Sequence, residues 1–167
     1  FEKDILTHFD HLAASAVALS NDMTEILTES LQAKNTAFSE LNDKSEIIAD
    51  LQKNMLGPLK QNLLQTDCSG AFVMLNATVN STLPEASVSG SGLYLQVSGY
   101  DRIASDIILY RGIADVAKLH GIMPHRKWRL EFRTDLFPDY AEIVSSITTP
   151  PRKFYHISEP FKLPGTS

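Results

Sequence analysis

The feature that most constrains this 167-residue chain is the placement of its glycines and prolines. All eight glycines and all eight prolines lie at or after Gly57, so the first 56 residues lack the two residues that most often interrupt helices. The sequence therefore predicts a helical first segment, followed by a segment in which strands, turns and helices alternate. We expect one domain over residues 1–167, with a helical portion at 1–66 and an α/β portion at 67–167.

The charge of the chain is concentrated in the helical portion. Residues 1–56 carry ten acidic side chains against four lysines and no arginine, whereas the remainder is close to neutral. A net charge of -5 and a pI near 5.5 argue against generic nucleic-acid binding, which needs a strongly basic domain. The longest apolar runs are about five residues, too short to span a bilayer. A single cysteine, Cys68, excludes an internal disulfide.

The first segment carries a heptad-like apolar repeat. Its members recur at alternating spacings of four and three residues, and they are Ile5, Phe9, Leu12, Ala16, Leu19, Met23 and Ile26. This pattern predicts one helix from about Glu2 to Ala33. Such a helix is about 48 Å long at 1.5 Å per residue, longer than a domain of this mass is wide. The repeat can pack on the rest of the domain or on a second copy, and we expect a homodimer through the Ile5 to Ile26 helix.

The elements that follow predict an α+β fold. Asp43 and Glu46 form a capping-box-like start for a second helix, which Gly57 and Pro58 should end, with a further short helix running to about Gln65. Later strands are predicted at 71–75, 93–98, 107–110, 126–132 and 154–158, and later helices at 113–120 and 138–146. The apolar run at 71–75 is typical of a central strand covered on both faces. We expect residues 89–92 to form a flexible connection and residues beyond Ser167 to complete the sheet.

Catalytic and metal-binding patterns are absent from the sequence. There is no zinc-protease pair of histidines, no phosphate-binding glycine loop ending in Lys-Ser or Lys-Thr, and no serine between two glycines at elbow spacing. His8 and His11 have a spacing that can hold a metal, but no third ligand is placed beside them. We therefore expect no catalytic residues, no metal and no cofactor, and we expect that the protein is not an enzyme.

The most informative stretch runs from Pro124 to Arg133. A strand period of two residues places Arg126, Trp128, Leu130 and Phe132 on one, apolar face, and Lys127, Arg129, Glu131 and Arg133 on a solvated face. Arg126 then lies either at the rim of the core, stacked on Trp128, or in a cavity where its guanidinium can bind a carboxylate. Polar-tipped aromatic and cationic residues that can line the same cavity are Tyr110, Arg111 and Tyr140.

The order of elements, together with the segments 93–95, 109–112, 128–132 and 160–166, resembles the extracytoplasmic Cache sensor domains of bacteria. The resemblance covers nearly the whole chain. The chain is similar in particular to sensor regions attached to membrane-anchored helix-turn-helix transcriptional regulators or histidine kinases. The resemblance implies a long N-terminal helix and shorter helices packed on a PAS-like antiparallel sheet that binds small metabolites.

In one branch of that family, an Arg-x-Trp-Tyr motif binds the carboxylate of an amino-acid ligand. Arg126 and Trp128 match the first two members of this motif, and Arg129 stands in place of the tyrosine. The acidic residue that binds the ligand amine in that branch has no match here, so an acidic metabolite such as a carboxylate is the ligand that the resemblance implies. Arg126, Trp128, Tyr110, Arg111 and Tyr140 are the predicted ligand-binding residues.

The resemblance thus implies the sensing domain of a bacterial membrane receptor for signal transduction or transcription regulation. We expect it at the extracytoplasmic face of the membrane, anchored by segments outside this chain, making no direct contact with nucleic acid and signalling through its N-terminal helix. The alternative is a non-enzymatic dimerisation or interaction module that binds no ligand. A cavity containing Arg126 favours the sensor, whereas complete packing around Trp128 favours the module.

Overall fold

A computed structural model of the chain describes residues 2–99, 106–137 and 139–146. The helices are α1 (Glu2–Ala33), α2 (Ser45–Gln65), α3 (Ala114–Lys118) and α4 (Tyr140–Ser146), with short 3₁₀ turns at Phe38–Glu40, Ala86–Val88 and Thr134–Leu136. The strands are β1 (Gly70–Met74), β2 (Ser89–Gly90), β3 (Gly92–Val97), β4 (Ile107–Arg111), β5 (Met123–Arg129) and β6 (Phe132–Arg133). The α+β class is confirmed. The strand predicted at 154–158 lies outside the described residues, as does Pro138 at the start of the predicted 138–146 helix.

Helix α1 has the predicted bounds, and its two ends differ in burial. Met23 and Leu31 are buried in the main core, whereas Ile5 and Leu6 are 41% and 53% exposed. Because the apolar repeat continues into the exposed first turns, only the C-terminal part of the repeat is covered by the described core.

Helix α2 begins without the predicted capping box. Its first residue is Ser45, its N-cap is Lys44, and no side chain caps it. The Asp43 carboxylate is bonded elsewhere, because it accepts from the N–H of Ser81 at 2.6 Å and from the hydroxyl of the same residue. These hydrogen bonds lower the pKa of Asp43. The predicted cap is therefore wrong, and Asp43 instead ties the start of α2 to the loop after β1.

Helix α2 is longer than predicted, because it continues through Gly57 and Pro58 as a single helix. A proline inside a helix costs about 3 kcal/mol through its missing N–H and its ring clash. Met55, Leu59 and Leu63, which flank the proline at helical spacing, are all buried at 1% exposure or less. Burial of each such side chain contributes about 1.5–3 kcal/mol, which outweighs the local cost. The predicted helix end at Gly57 is therefore wrong.

The principal sheet has the strand order β1-β3-β4-β5. The β1–β3 and β3–β4 pairs are antiparallel, whereas β4 and β5 are parallel. The expected wholly antiparallel sheet is thus wrong for its β4–β5 pair, because α3 lies in the connection and returns the chain to the starting end of β4. A second, small sheet joins β2 to β6.

Strand β1 lies at one end of the described sheet order, so the prediction of a central strand at 71–75 is wrong. Its side chains alternate between the two faces. Ala71 and Val73 pack against the main core, whereas Phe72 is 51% exposed. The continuous apolar run therefore arises from one covered face and one aromatic face, a pattern that sequence alone does not separate from a strand covered on both sides.

The two faces of the sheet carry different cores. One face packs aliphatic residues such as Leu93, Leu95 and Leu109 against α2. The opposite face carries a cluster of Tyr94, Tyr110 and Phe132, with Phe137 packed against it. The aromatic residues of this cluster all lie after Gly57, in the α/β portion of the chain.

The connection at 89–92 is a buried part of the fold rather than a flexible linker. Gly90, Ser91 and Gly92 are all buried. Gly90 belongs to β2 and pairs with Phe132 of β6, while Gly92 begins β3. The prediction of a flexible connection is therefore wrong.

The loop after β1 is held by a carboxylate that was predicted to face solvent. Glu131 is half-buried, and it accepts hydrogen bonds from Thr78 Oγ1 at 2.8 Å, from the Val79 N–H at 2.8 Å and from Ser91 Oγ at 2.7 Å. The strand period fails at Glu131 because β5 ends at Arg129 and the chain bends before β6.

Candidate functional site

A cleft of about 760 Å³ opens at the end of the sheet where β4 and β5 begin. Its walls are the last turns of α2, the first residues of β4, and residues 121–126 of the α3–β5 connection and β5. Parallel strands β4 and β5 start at the same end of the sheet, which places Asp106 and Arg126 at one opening. A concave site of this size is in the range that small-molecule ligands occupy.

The charged residues in the described lining of the cleft are Lys60, Arg126 and Asp106. Lys60 is half-buried on α2, whereas Arg126 and Asp106 are exposed. Among the described residues, no ion pair joins Lys60 or Arg126 to a carboxylate. Two cations against one carboxylate give this lining an excess of positive charge, which favours an anionic ligand.

His125 lies between the cleft and the aromatic face of the sheet. It lines the cleft, and its ring stacks on Tyr110 with centroids 4.4 Å apart. Its Nδ1 accepts a hydrogen bond from the Lys127 N–H at 3.1 Å. Since this bond needs a lone pair on Nδ1, Nε2 is the ring nitrogen left to donate a proton.

The strand alternation predicted for 126–132 is broken by an irregular register. Leu109 pairs with Pro124, and the next pair joins Arg111 to Arg129, so β5 contains more residues than β4 over the same interval. A bulge of this kind changes the direction of the side chains within it. Arg126 and Trp128 differ in burial, because Arg126 is exposed and Trp128 packs against the main core.

Trp128 belongs to the core rather than to the cleft. Its indole N–H donates to the Gly112 carbonyl at 2.8 Å, and the half-buried ring packs against the main aliphatic cluster. The predicted pairing of an Arg126 anchor with a Trp128 wall is therefore wrong, although Arg126 itself lines the cleft.

Tyr110 and Arg111 are the last two residues of β4 and are not among the described lining residues of the cleft. Arg111 is 5% exposed, pairs with Tyr94 in the β3–β4 ladder, and donates to the Tyr110 carbonyl at 2.7 Å. Burial lowers the pKa of Arg111, and the nearby Arg129 cation lowers that pKa further. Burial also raises the pKa of Tyr94, with the neighbouring Tyr110 contributing. Although its pKa is lowered, Arg111 keeps its charge at neutral pH.

Tyr140 is half-buried on α4 and is not among the described lining residues of the cleft. Of the five predicted residues, the structure thus places Arg126 in the cleft, whereas Tyr110 and Arg111 end β4 outside its described lining. It brings Trp128 into the core and leaves Tyr140 on a separate helix.

Sequence reasoning missed Lys60 and His125. The signal for Lys60 is its spacing of four residues from Leu64, which puts both side chains on one stripe of α2, beside the buried stripe of Leu59 and Leu63. His125 has a weaker signal, because only its position next to Arg126 connects it with the predicted anchor.

Within residues 2–99, 106–137 and 139–146, no group of three or more His, Cys, Asp or Glu side chains is placed to hold a metal ion. None of the helices in these ranges combines the length and apolar character needed to cross a bilayer. Comparison with protein families, curated proteins and solved structures gives no match to this chain.

Proposed function

We propose that this chain is a small-molecule sensing domain of a membrane-anchored bacterial signal-transduction or transcription-regulatory protein. The observation that carries the proposal is the cleft of about 760 Å³ lined by Arg126. In this proposal the cleft binds an acidic metabolite, with the Arg126 guanidinium as a contact for its carboxylate. The domain lies at the extracytoplasmic face of the membrane, and α1 carries the signal.

Helix α2 is the element that can connect the cleft with α1. Its Lys60 and Leu64 line the cleft, and the intervening Asn62 donates from Nδ2 to the Ser15 carbonyl of α1 at 3.3 Å. Near the other end of α2, Asp50 forms an ion pair at 2.9 Å with Lys34, the residue that follows α1. A ligand that favours one position of α2 would therefore shift α1 between two pre-existing arrangements. A coupling free energy of about 1–3 kcal/mol is enough for a useful response.

The test is a thermal-shift screen of the chain against carboxylic acids, amino acids, sugars and nucleobases. A ligand at about 100 times its dissociation constant adds about 2.7 kcal/mol to the free energy of unfolding. We expect carboxylates to raise the melting temperature of the wild type and not that of Arg126→Ala. Arg133→Ala is the matched control, since Arg133 is exposed and pairs with Asp135 outside the cleft.

The second candidate is a dimerisation or interaction module without a ligand. The observation that favours it is the Trp128 ring, which is packed against the core and hydrogen-bonded to Gly112. If no compound raises the melting temperature, the module replaces the sensor as the proposed function. If carboxylates raise the melting temperature of Arg126→Ala as much as that of the wild type, the binding site does not involve Arg126 and lies elsewhere than in this cleft.

A further inference from the structure

We propose that the cleft selects an amphiphilic organic anion, a carboxylate joined to an apolar body, and that Lys60 is its second charge contact. This inference rests on the proposed function, because it names the ligand class and a further contact residue for the same cleft.

The apolar body is indicated by the side chains that the cleft leaves open to solvent. Leu64 and Met123 line it and are 55% and 62% exposed, so two large apolar side chains from different elements meet water in one concavity. Ile122, also in the lining, is 2% exposed and belongs to the main core. A ligand with an apolar part would cover Leu64 and Met123 and remove their surface from water.

The anionic group is indicated by the two cations that come from different elements. Lys60 belongs to α2 and Arg126 to β5, and both line the same cleft. Asp106 is the described carboxylate in the lining, and it is exposed. His125 adds a donor at Nε2, because its Nδ1 already accepts from Lys127. In this proposal the ligand carboxylate accepts from Arg126 and Lys60, in charge-assisted hydrogen bonds.

The size of the cleft argues against a ligand that is only a small anion. A volume of about 760 Å³ lies in the upper part of the range for small-molecule sites, so acetate would leave Leu64 and Met123 uncovered. A fully polar dicarboxylate would place a second charge against these apolar side chains, at a cost in desolvation.

Isothermal titration of the wild type with acetate, hexanoate, succinate and 1-hexanol tests the inference. We expect hexanoate to bind at least about tenfold more tightly than acetate, because its additional methylene groups are buried. Hexanol should bind more weakly than hexanoate, because it lacks the charge. Lys60→Gln should weaken hexanoate binding about two- to fivefold, as expected for a partly exposed charge contact. Lys53→Gln, an exposed position elsewhere on α2, is the control and should leave binding unchanged.

The outcomes separate this inference from the proposed function. If succinate binds through Arg126 and hexanoate binds no more tightly than acetate, the ligand is not amphiphilic. The inference is then overturned, whereas the proposed sensing function is kept. Equal binding of hexanol and hexanoate overturns the charge contacts. If Lys60→Gln binds hexanoate as tightly as the wild type does, Lys60 is not a contact of the ligand. If none of the probes binds and the wider screen is also negative, the proposed function fails together with the inference.

Discussion

At the residue scale, Glu131 shows how one carboxylate can order several segments of the chain. Its oxygens accept from Thr78, Val79 and Ser91, which belong to the loop after β1 and to the residue before β3. Thr78 and Ser91 are 4% and 0% exposed, so these hydrogen bonds are shielded from water. Hydrogen bonds to a charged group contribute about 1.5–3 kcal/mol, more than neutral ones.

We therefore expect Glu131→Gln to lower the free energy of unfolding by about 1–3 kcal/mol, because the amide nitrogen faces donors that it cannot accept from. Urea denaturation followed by circular dichroism measures this change. Glu25→Gln, at an exposed position of α1, is the control and should stay within about 0.5 kcal/mol of wild type. Equal stability of the two variants would contradict the role assigned to Glu131.

At the element scale, α2 and the tight turn after β4 differ in whether they need a glycine. A side chain fits at Gly57 in α2, whereas it does not fit at Gly112 in the turn. Gly57 lies inside α2, and a Cβ at this position would meet nothing within 4 Å. Gly112 has a φ of +124°, and a Cβ there would lie 2.8 Å from Leu93 Cδ2 and 3.0 Å from the Gly92 carbonyl oxygen. The same turn supplies the carbonyl that accepts from Trp128.

Alanine at the two glycines should therefore change stability in opposite directions. Gly57→Ala should raise the free energy of unfolding by about 0.5–1 kcal/mol, since alanine favours the helix. Gly112→Ala should lower it by about 1–3 kcal/mol through backbone strain and contact with Leu93. Thermal denaturation of both variants checks the pair. A stabilising Gly112→Ala, or a Gly57→Ala that lowers stability, would contradict the geometry of that element.

At the scale of the whole molecule, the first turns of α1 carry apolar side chains that the described core leaves exposed. Ile5 and Leu6 are 41% and 53% exposed, although Ile5 begins the apolar repeat that ends at Ile26. A second copy packing on this stripe would cover Ile5, in the manner of a coiled coil.

We predict that the chain forms a concentration-dependent dimer and that Ile5→Asp weakens it at least about tenfold, because a charge would enter the seam. Analytical ultracentrifugation measures the dissociation constant. Leu119→Asp is the control, because Leu119 is 74% exposed and lies just after α3, outside the apolar repeat. A wild-type chain that stays monomeric at high concentration would contradict the dimer.

Much of the secondary structure follows from local patterns. The bounds of α1 and the presence of β3 and β4 could be predicted, because an uninterrupted apolar repeat and alternating runs are short-range signals. The end assigned at Gly57 was wrong, because burial of Leu59 and Leu63 outweighs the local preference of Pro58. Likewise Arg126 could be predicted as a cleft residue, whereas the packing of Trp128 on the main core, outside the described lining of the cleft, could not.

The sequence by itself determined the helical first segment, the α+β class and the concentration of acidic residues in the first segment. Only the tertiary structure decided that Lys60 and Arg126 line one cleft, that Glu131 is bonded rather than solvated, and that β4 and β5 run parallel. The physical reason is the distance along the sequence over which each kind of interaction acts. Periodicity and turn residues act over a few positions, whereas strand register and the meeting of α2 with β5 depend on burial summed over the whole core.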